Sequence, residues 1–265
     1  QTNYERAWGI LLAHLVETGD LDPSGSMASR VSPPRLNAWT AAMRKSGKET
    51  GTIKQYIACA HAMVRLLEPM ADVSYMRRPG GQSLDAAFPV DLKPGLVLDT
   101  EDLMTRAREA HRLGMTATTV FARRTYLRDA AFMSFLARRA PRISSAAAMR
   151  LGIHVVEEAN GIVSVSFPRS DIKTRKHLGW PLDAECSGYM RDYLRIGRPL
   201  FPGSAGTDAV WLGNHGEALD AVGLTGIARR RTDQWFGKAC GPHSARKWLQ
   251  SSAARRSPEA AFDAA

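Results

Sequence analysis

Between residues 152 and 183 the chain changes its period. GIHVVEEANGIVSVSFPRSDIKTRKHLGWPLD contains two β-rich runs that meet at Asn160-Gly161, a pair favoured in tight hairpin turns, and a third short strand is predicted over Leu178–Pro181. Elsewhere the apolar residues follow helical spacing. Trp8, Leu11, Leu12, Leu15 and Val16 mark a first helix. Leu36, Trp39, Ala42 and Met43 mark a second, after Pro33-Pro34. Ile53, Ile57, Ala60, Val64 and Leu67 mark a third, for which Thr50 or Thr52 is the predicted cap. One small hairpin sheet inside a helical chain restricts the fold class to mainly α with a small antiparallel β-sheet.

The stretch RRPGGQSLDAAFPVDLKPGLVL, residues 77–98, is rich in Gly and Pro and has no helical period. It divides the 265 residues into a helical domain over 1–78, a linker over 79–98 and a second domain over 99–265. The second domain opens on Asp99-Thr100-Glu101-Asp102, an acidic first turn that suits a helix dipole. Phe132, Phe135 and Leu136 mark a buried helix leading to Arg142.

Composition narrows the function. No apolar run reaches the roughly 18–20 residues that span a bilayer, so no membrane partner is expected. Three cysteines with no zinc-ligand spacing, Cys59, Cys186 and Cys240, are read as packing residues of a reduced, cytoplasmic protein. The chain opens on Gln1 and is not read as starting with a signal peptide. The net charge is +10 and uneven: residues 1–98 hold 11 basic and 9 acidic residues, residues 99–265 hold 25 and 17. A concentrated positive field suits a polyanion, because neutralised phosphates release condensed counterions. A solvated basic surface has the same composition. The run Arg229–Arg231 is read as such a face.

Four local patterns then fall in a set order. TIKQYIACAHAMVRLL follows the polar RKSGKETG. YLRDAAFMSFLARRAPRISSAAAMRLG holds an Arg-Ile-Ser segment at Arg142. DIKTRKHLGWPL holds a Lys-Thr turn at Lys173. GPHSARKWLQSSA holds a His-x-x-Arg box at His243 and Arg246. Thirty-one residues separate Arg142 from Lys173 and seventy-three separate Lys173 from Arg246, with a strand pair in the first gap. Each pattern alone is common. Arg142 fits an ordinary helix-end arginine, Lys173 a turn lysine with Lys176 as the other candidate, His243 a helix cap and Arg246 a partner for a carboxylate.

In order and spacing, the chain resembles the tyrosine recombinases, or phage-type integrases. The resemblance implies an N-terminal helical core-binding (SAM-like) domain and a C-terminal catalytic domain. It implies double-stranded DNA as partner, a homo-tetramer on DNA, and no metal or other cofactor. The implied reaction is site-specific recombination or integration through a 3′-phosphotyrosine intermediate. By the same resemblance Arg142 and Arg246 clamp the scissile phosphate, Lys173 is the general acid and His243 handles protons around the phosphate. Lys45, Lys48, Lys54 and Lys247 are candidate DNA contacts. Tyr189 and Tyr193 precede the His box and are read as packing residues, with the family's nucleophile expected beyond Ala265. Ser145 stands where the family usually has an acid, and Arg139-Ala140-Pro141 replaces the usual Thr-Gly-Leu type. Two readings compete: a DNA-binding relative without cleavage, and a helical nucleic-acid-binding scaffold with a chance pattern.

Overall fold

The computed structural model describes residues 3–89, 96–171 and 177–256. The chain forms two units, Gln1–Pro94 and Gly95–Ala265.

The first unit is helical: α1 Asn3–Glu17, α2 Met27–Arg30, α3 Pro33–Lys45, α4 Thr50–Leu67 and α5 Leu84–Ala87. Trp8, Leu11 and Leu15 of α1 meet Leu36, Trp39 and Met43 of α3 and Ile53, Ile57 and Val64 of α4 in one core. Each such side chain removed from water contributes about 1.5–3 kcal/mol. Val16 and Leu67, expected on the buried faces, are exposed. The cap of α4 is Glu49 rather than Thr50 or Thr52. Glu68, just past α4, accepts from Met27 N at 2.6 Å and Ala28 N at 3.0 Å, satisfying free donors at the start of α2. The stretch expected to be linker carries α5, and Phe88 is buried in this core.

The second unit orders as α6 Thr100–Thr116, α7 Val120–Arg138, α8 Ile143–Ala147, β1 Val155–Glu157, β2 Val163–Phe167, β3 Leu178–Pro181, α9 Ala184–Asp192, α10 Ala221–Phe236 and α11 Pro242–Arg256. The chain is mainly α with a three-stranded antiparallel sheet of order β1-β2-β3. The hairpin turn falls at Asn160-Gly161, where Gly161 takes φ 80° and Asn160 Oδ1 accepts from Ile162 N at 2.9 Å. Asp99 and Asp102 form a capping box at the start of α6.

Helix α7 is the centre of this unit. Every residue from Leu127 to Ala137 is buried. Phe132 and Phe135 pack on Trp211, which stacks on Tyr193. Gly114 lets α6 come close, since a Cβ there would lie 2.9 Å from the Leu127 side chain. Asp129 of α7 is fully buried and holds two arginines, Arg128 and Arg231, each at 2.8 Å. Arg231 is therefore an internal strut between α7 and α10. Within the run expected to be a solvated face, only Arg229 and Arg230 are exposed. Tyr189, Tyr193 and all three cysteines are buried. No described helix is long and apolar enough to cross a membrane.

Candidate active site

Two chain segments build the site, and each is anchored from behind. The first is the end of α7. Arg138 pairs with Glu101 at 2.5 Å and Asp183 at 2.8 Å, and Arg139 donates to the Pro181 carbonyl at 3.0 Å. Ala140 then takes φ 34°, a left-handed conformation that is costly for a residue with a Cβ. Past that turn Pro141 is buried and Arg142 is exposed as the N-cap residue of α8.

The second segment is the start of α11. Gly237, at φ 66°, ends α10. The loop that follows is clipped by Thr232, whose Oγ1 accepts from Cys240 N at 2.7 Å. Pro242 opens α11. His243 and Arg246 are three residues apart and share one face, whereas Ala245 and Trp248 are buried on another. Trp248 Nε1 donates to Leu96 O at 2.6 Å, and Ser252 Oγ accepts from Thr100 N at 3.2 Å. These two bonds hold α11 against the start of α6.

The two segments face one cavity of about 390 Å³, lined by Pro141, Arg142, Ile143, Ser144, Pro242, His243 and Arg246. Three of the four predicted catalytic residues are thus brought together across a gap of roughly 100 residues in sequence. Among the described residues, the side chains of Arg142, His243 and Arg246 have no hydrogen-bond or ion-pair partner. Their N–H groups are available to an anion, and two guanidinium forks match the oxygens of a phosphate. Lys173 and its alternative Lys176 lie outside the described residues, 172–176. Ser145 is buried in α8, which packs on α10, and supplies no carboxylate there.

Of the candidate DNA contacts, Lys45, Lys48 and Lys247 are exposed, whereas Lys54 forms an ion pair with Asp85 of α5. A basic concavity of about 770 Å³ in the first unit escaped the sequence reading. Lys54, His61, Arg77 and Arg78 are among its lining residues. Burial, followed by repulsion from Arg77 and Arg65, holds the His61 imidazole below its usual pKa. Its signal in the sequence is the Arg77-Arg78 pair at the start of the Gly/Pro-rich stretch, which has no helical period to place it on a face.

No family model matches the sequence, and no curated protein matches it. Solved structures do. The Tn1549 transposon integrase in complex with transposon right end DNA superposes with a TM-score of 0.63 at 16% identity, over 98% of this chain and 84% of that one. The XerH site-specific recombinase bound to difH substrate superposes with a TM-score of 0.57 at 16% identity, over 84% of this chain. The match spans 60% of the length of the XerH chain. The chain therefore has the fold of the tyrosine recombinases and integrases.

Proposed function

We propose that the protein carries out site-specific DNA recombination or integration by cutting and rejoining strands through a 3′-phosphotyrosine link. The observation that carries this reading is the cavity where Arg142, His243 and Arg246 converge with no carboxylate partner among the described residues. Both structural neighbours described above were solved on DNA.

A tyrosine oxygen attacks the phosphorus as its proton passes to His243, acting as general base, and the 5′ oxygen leaves. The transition state spreads negative charge over the nonbridging oxygens, where Arg142 and Arg246 each supply parallel charge-assisted bonds. His243 holds or exchanges a proton at the phosphate. Lys173 gives the leaving 5′ oxygen its proton. The phosphotyrosine keeps the bond energy, and a 5′ hydroxyl of the partner strand reverses the step. Exposed Lys45, Lys48 and Lys247 and the basic concavity of the first unit supply phosphate contacts that position the duplex without reading its sequence. A homo-tetramer on DNA and a cytoplasmic location belong to the same proposal.

Ser145 favours a second reading, a DNA-binding relative that no longer cuts. Covalent trapping separates the two. The full-length gene product, denatured after incubation with a duplex bearing its binding site, should carry DNA linked through a tyrosine. Changing that tyrosine to Phe should abolish the adduct. Binding without any adduct, or a gene that encodes no such tyrosine, would leave the second reading standing.

A further inference from the structure

Thr232 puts a hydroxyl where the packing of α10 alone would call for an apolar side chain. Only 1% of its surface is exposed, and Leu224, Ile227 and Ala228 of the same helix are buried with it. A valine would fill the same space without the oxygen. That oxygen lies 2.8 Å from Ala228 O, 3.1 Å from Arg229 O and 3.1 Å from Cys240 O, and it accepts from Cys240 N at 2.7 Å. A helical threonine commonly bonds back to its own helix, three or four residues earlier. This one also accepts a bond from eight residues ahead.

Cys240 is buried as well, so its N–H would be costly to leave unpaired. Among the described residues, no side chain other than Thr232 bonds residues 238–241 to α10. Between Cys240 and His243 the chain has little freedom. Pro242 fixes its own φ, and Ser244 N donates to Gly241 O at 2.9 Å, closing the first turn of α11. His243 is the second residue of that helix. The other holds on α11 come later in it. Ala245 and Trp248 are buried, Trp248 Nε1 donates to Leu96 O, and Ser252 Oγ accepts from Thr100 N. They fix the helix around Arg246. The entry to the helix, where His243 stands, is fixed through Cys240.

We propose that Thr232 is a positioning residue for His243: by holding Cys240 N–H, its hydroxyl sets where the imidazole stands in the cavity that Arg142 and Arg246 share. This rests on His243 handling a proton in the proposed reaction.

The test is a double-mutant cycle, read as the single-turnover rate of covalent adduct formation by the full-length protein at saturating duplex, well below its unfolding temperature. Thr232→Val should slow the adduct on the order of 10- to 100-fold, because a misplaced proton-transfer group loses rate steeply with distance. Duplex affinity should stay within a few-fold of wild type. With His243 already changed to Ala, the same Thr232→Val change should cost less than about threefold, since the group it positions is gone. Thr232→Ser keeps the hydroxyl and should recover most of the rate. Thr232→Ala, a better helix former, repeats the comparison should the valine variant fail to fold.

Equal losses from Thr232→Val in the two backgrounds would overturn the proposal, because the hydroxyl would then support the fold and not the imidazole. So would Thr232→Ser as slow as Thr232→Val. A wild-type rate for Thr232→Val beside a slow His243→Ala would overturn the positioning role alone and leave the reaction standing. If His243→Ala forms adduct at the wild-type rate, or the wild type forms none, the role of His243 or the whole reaction falls and takes the proposal with it.

Discussion

Arg231 and Arg246 sit on successive helices of the same unit and have opposite surroundings. Arg231 is buried, bonded to Asp129 and Gln234, with its guanidinium 4.8 Å from the Tyr126 ring centre. Arg246 is half-buried on a cavity wall with no partner among the described residues. Arg128, Arg138, Arg150 and Arg195 likewise have carboxylate partners. Much of the basic excess therefore serves the fold. A net charge of +10 does not single out a site; the cations whose side chains lack a partner among the described residues do.

The largest effect should come from breaking the buried side of this comparison. Asp129→Ala leaves Arg128 and Arg231 buried without their counter-charge. It should cost about 3–5 kcal/mol, read as a lowered midpoint in denaturant unfolding. Equal stability of variant and wild type would show that Asp129 is no strut.

The left-handed residue that delivers Arg142 should respond in the other direction. Ala140→Gly relieves a Cβ at φ 34° and should raise stability by about 0.5–1 kcal/mol, seen as a higher Tm with no change in duplex affinity. A lower Tm would mean that the turn is not strained.

Smaller again is the contrast between a paired and an unpaired lysine. Lys48→Ala should reduce the salt dependence of duplex binding by about one unit of slope, whereas Lys54→Ala, already matched by Asp85, should leave it unchanged. Equal slopes for the two variants would remove the distinction.

A last effect is with pH, at its alkaline end. Burial pushes the Cys186 thiol up to about 12 from its ordinary 9.0. The folded state then keeps a proton that the unfolded state releases. Its contribution is fully present below about pH 9 and is lost as pH rises from there towards 12. Cys186→Ala should flatten that loss in denaturant titrations across the window, and an unchanged slope would contradict the assignment.

Much of this was legible in the sequence wherever local pattern decides structure. The strand Leu178–Pro181, the turn at Asn160-Gly161 and the acidic helix start at Asp99–Asp102 depend on neighbours in sequence, and the structure has all three, although the capping box that Asp99 and Asp102 form was read only as acids suiting the helix dipole. The order of Arg142, His243 and Arg246 also sufficed to bring them to one cavity. Partnership was not legible. Arg231 and Arg230 look alike in sequence, and only Asp129, 102 residues before Arg231, buries one of them. Leu67 continues the apolar stripe of α4, yet it lies at the last turn with nothing above it to cover it. The Gly/Pro-rich stretch looked unstructured because α5 and Phe88 depend on a core made by distant helices.

The most direct test of the central claim is the Arg246→Ala variant of the full-length protein on its duplex. The expected result is covalent adduct formation reduced on the order of 10²–10³-fold with duplex affinity within a few-fold of wild type. An adduct yield equal to wild type, or a loss that only tracks weakened binding, would contradict the assignment of this cavity to the scissile phosphate.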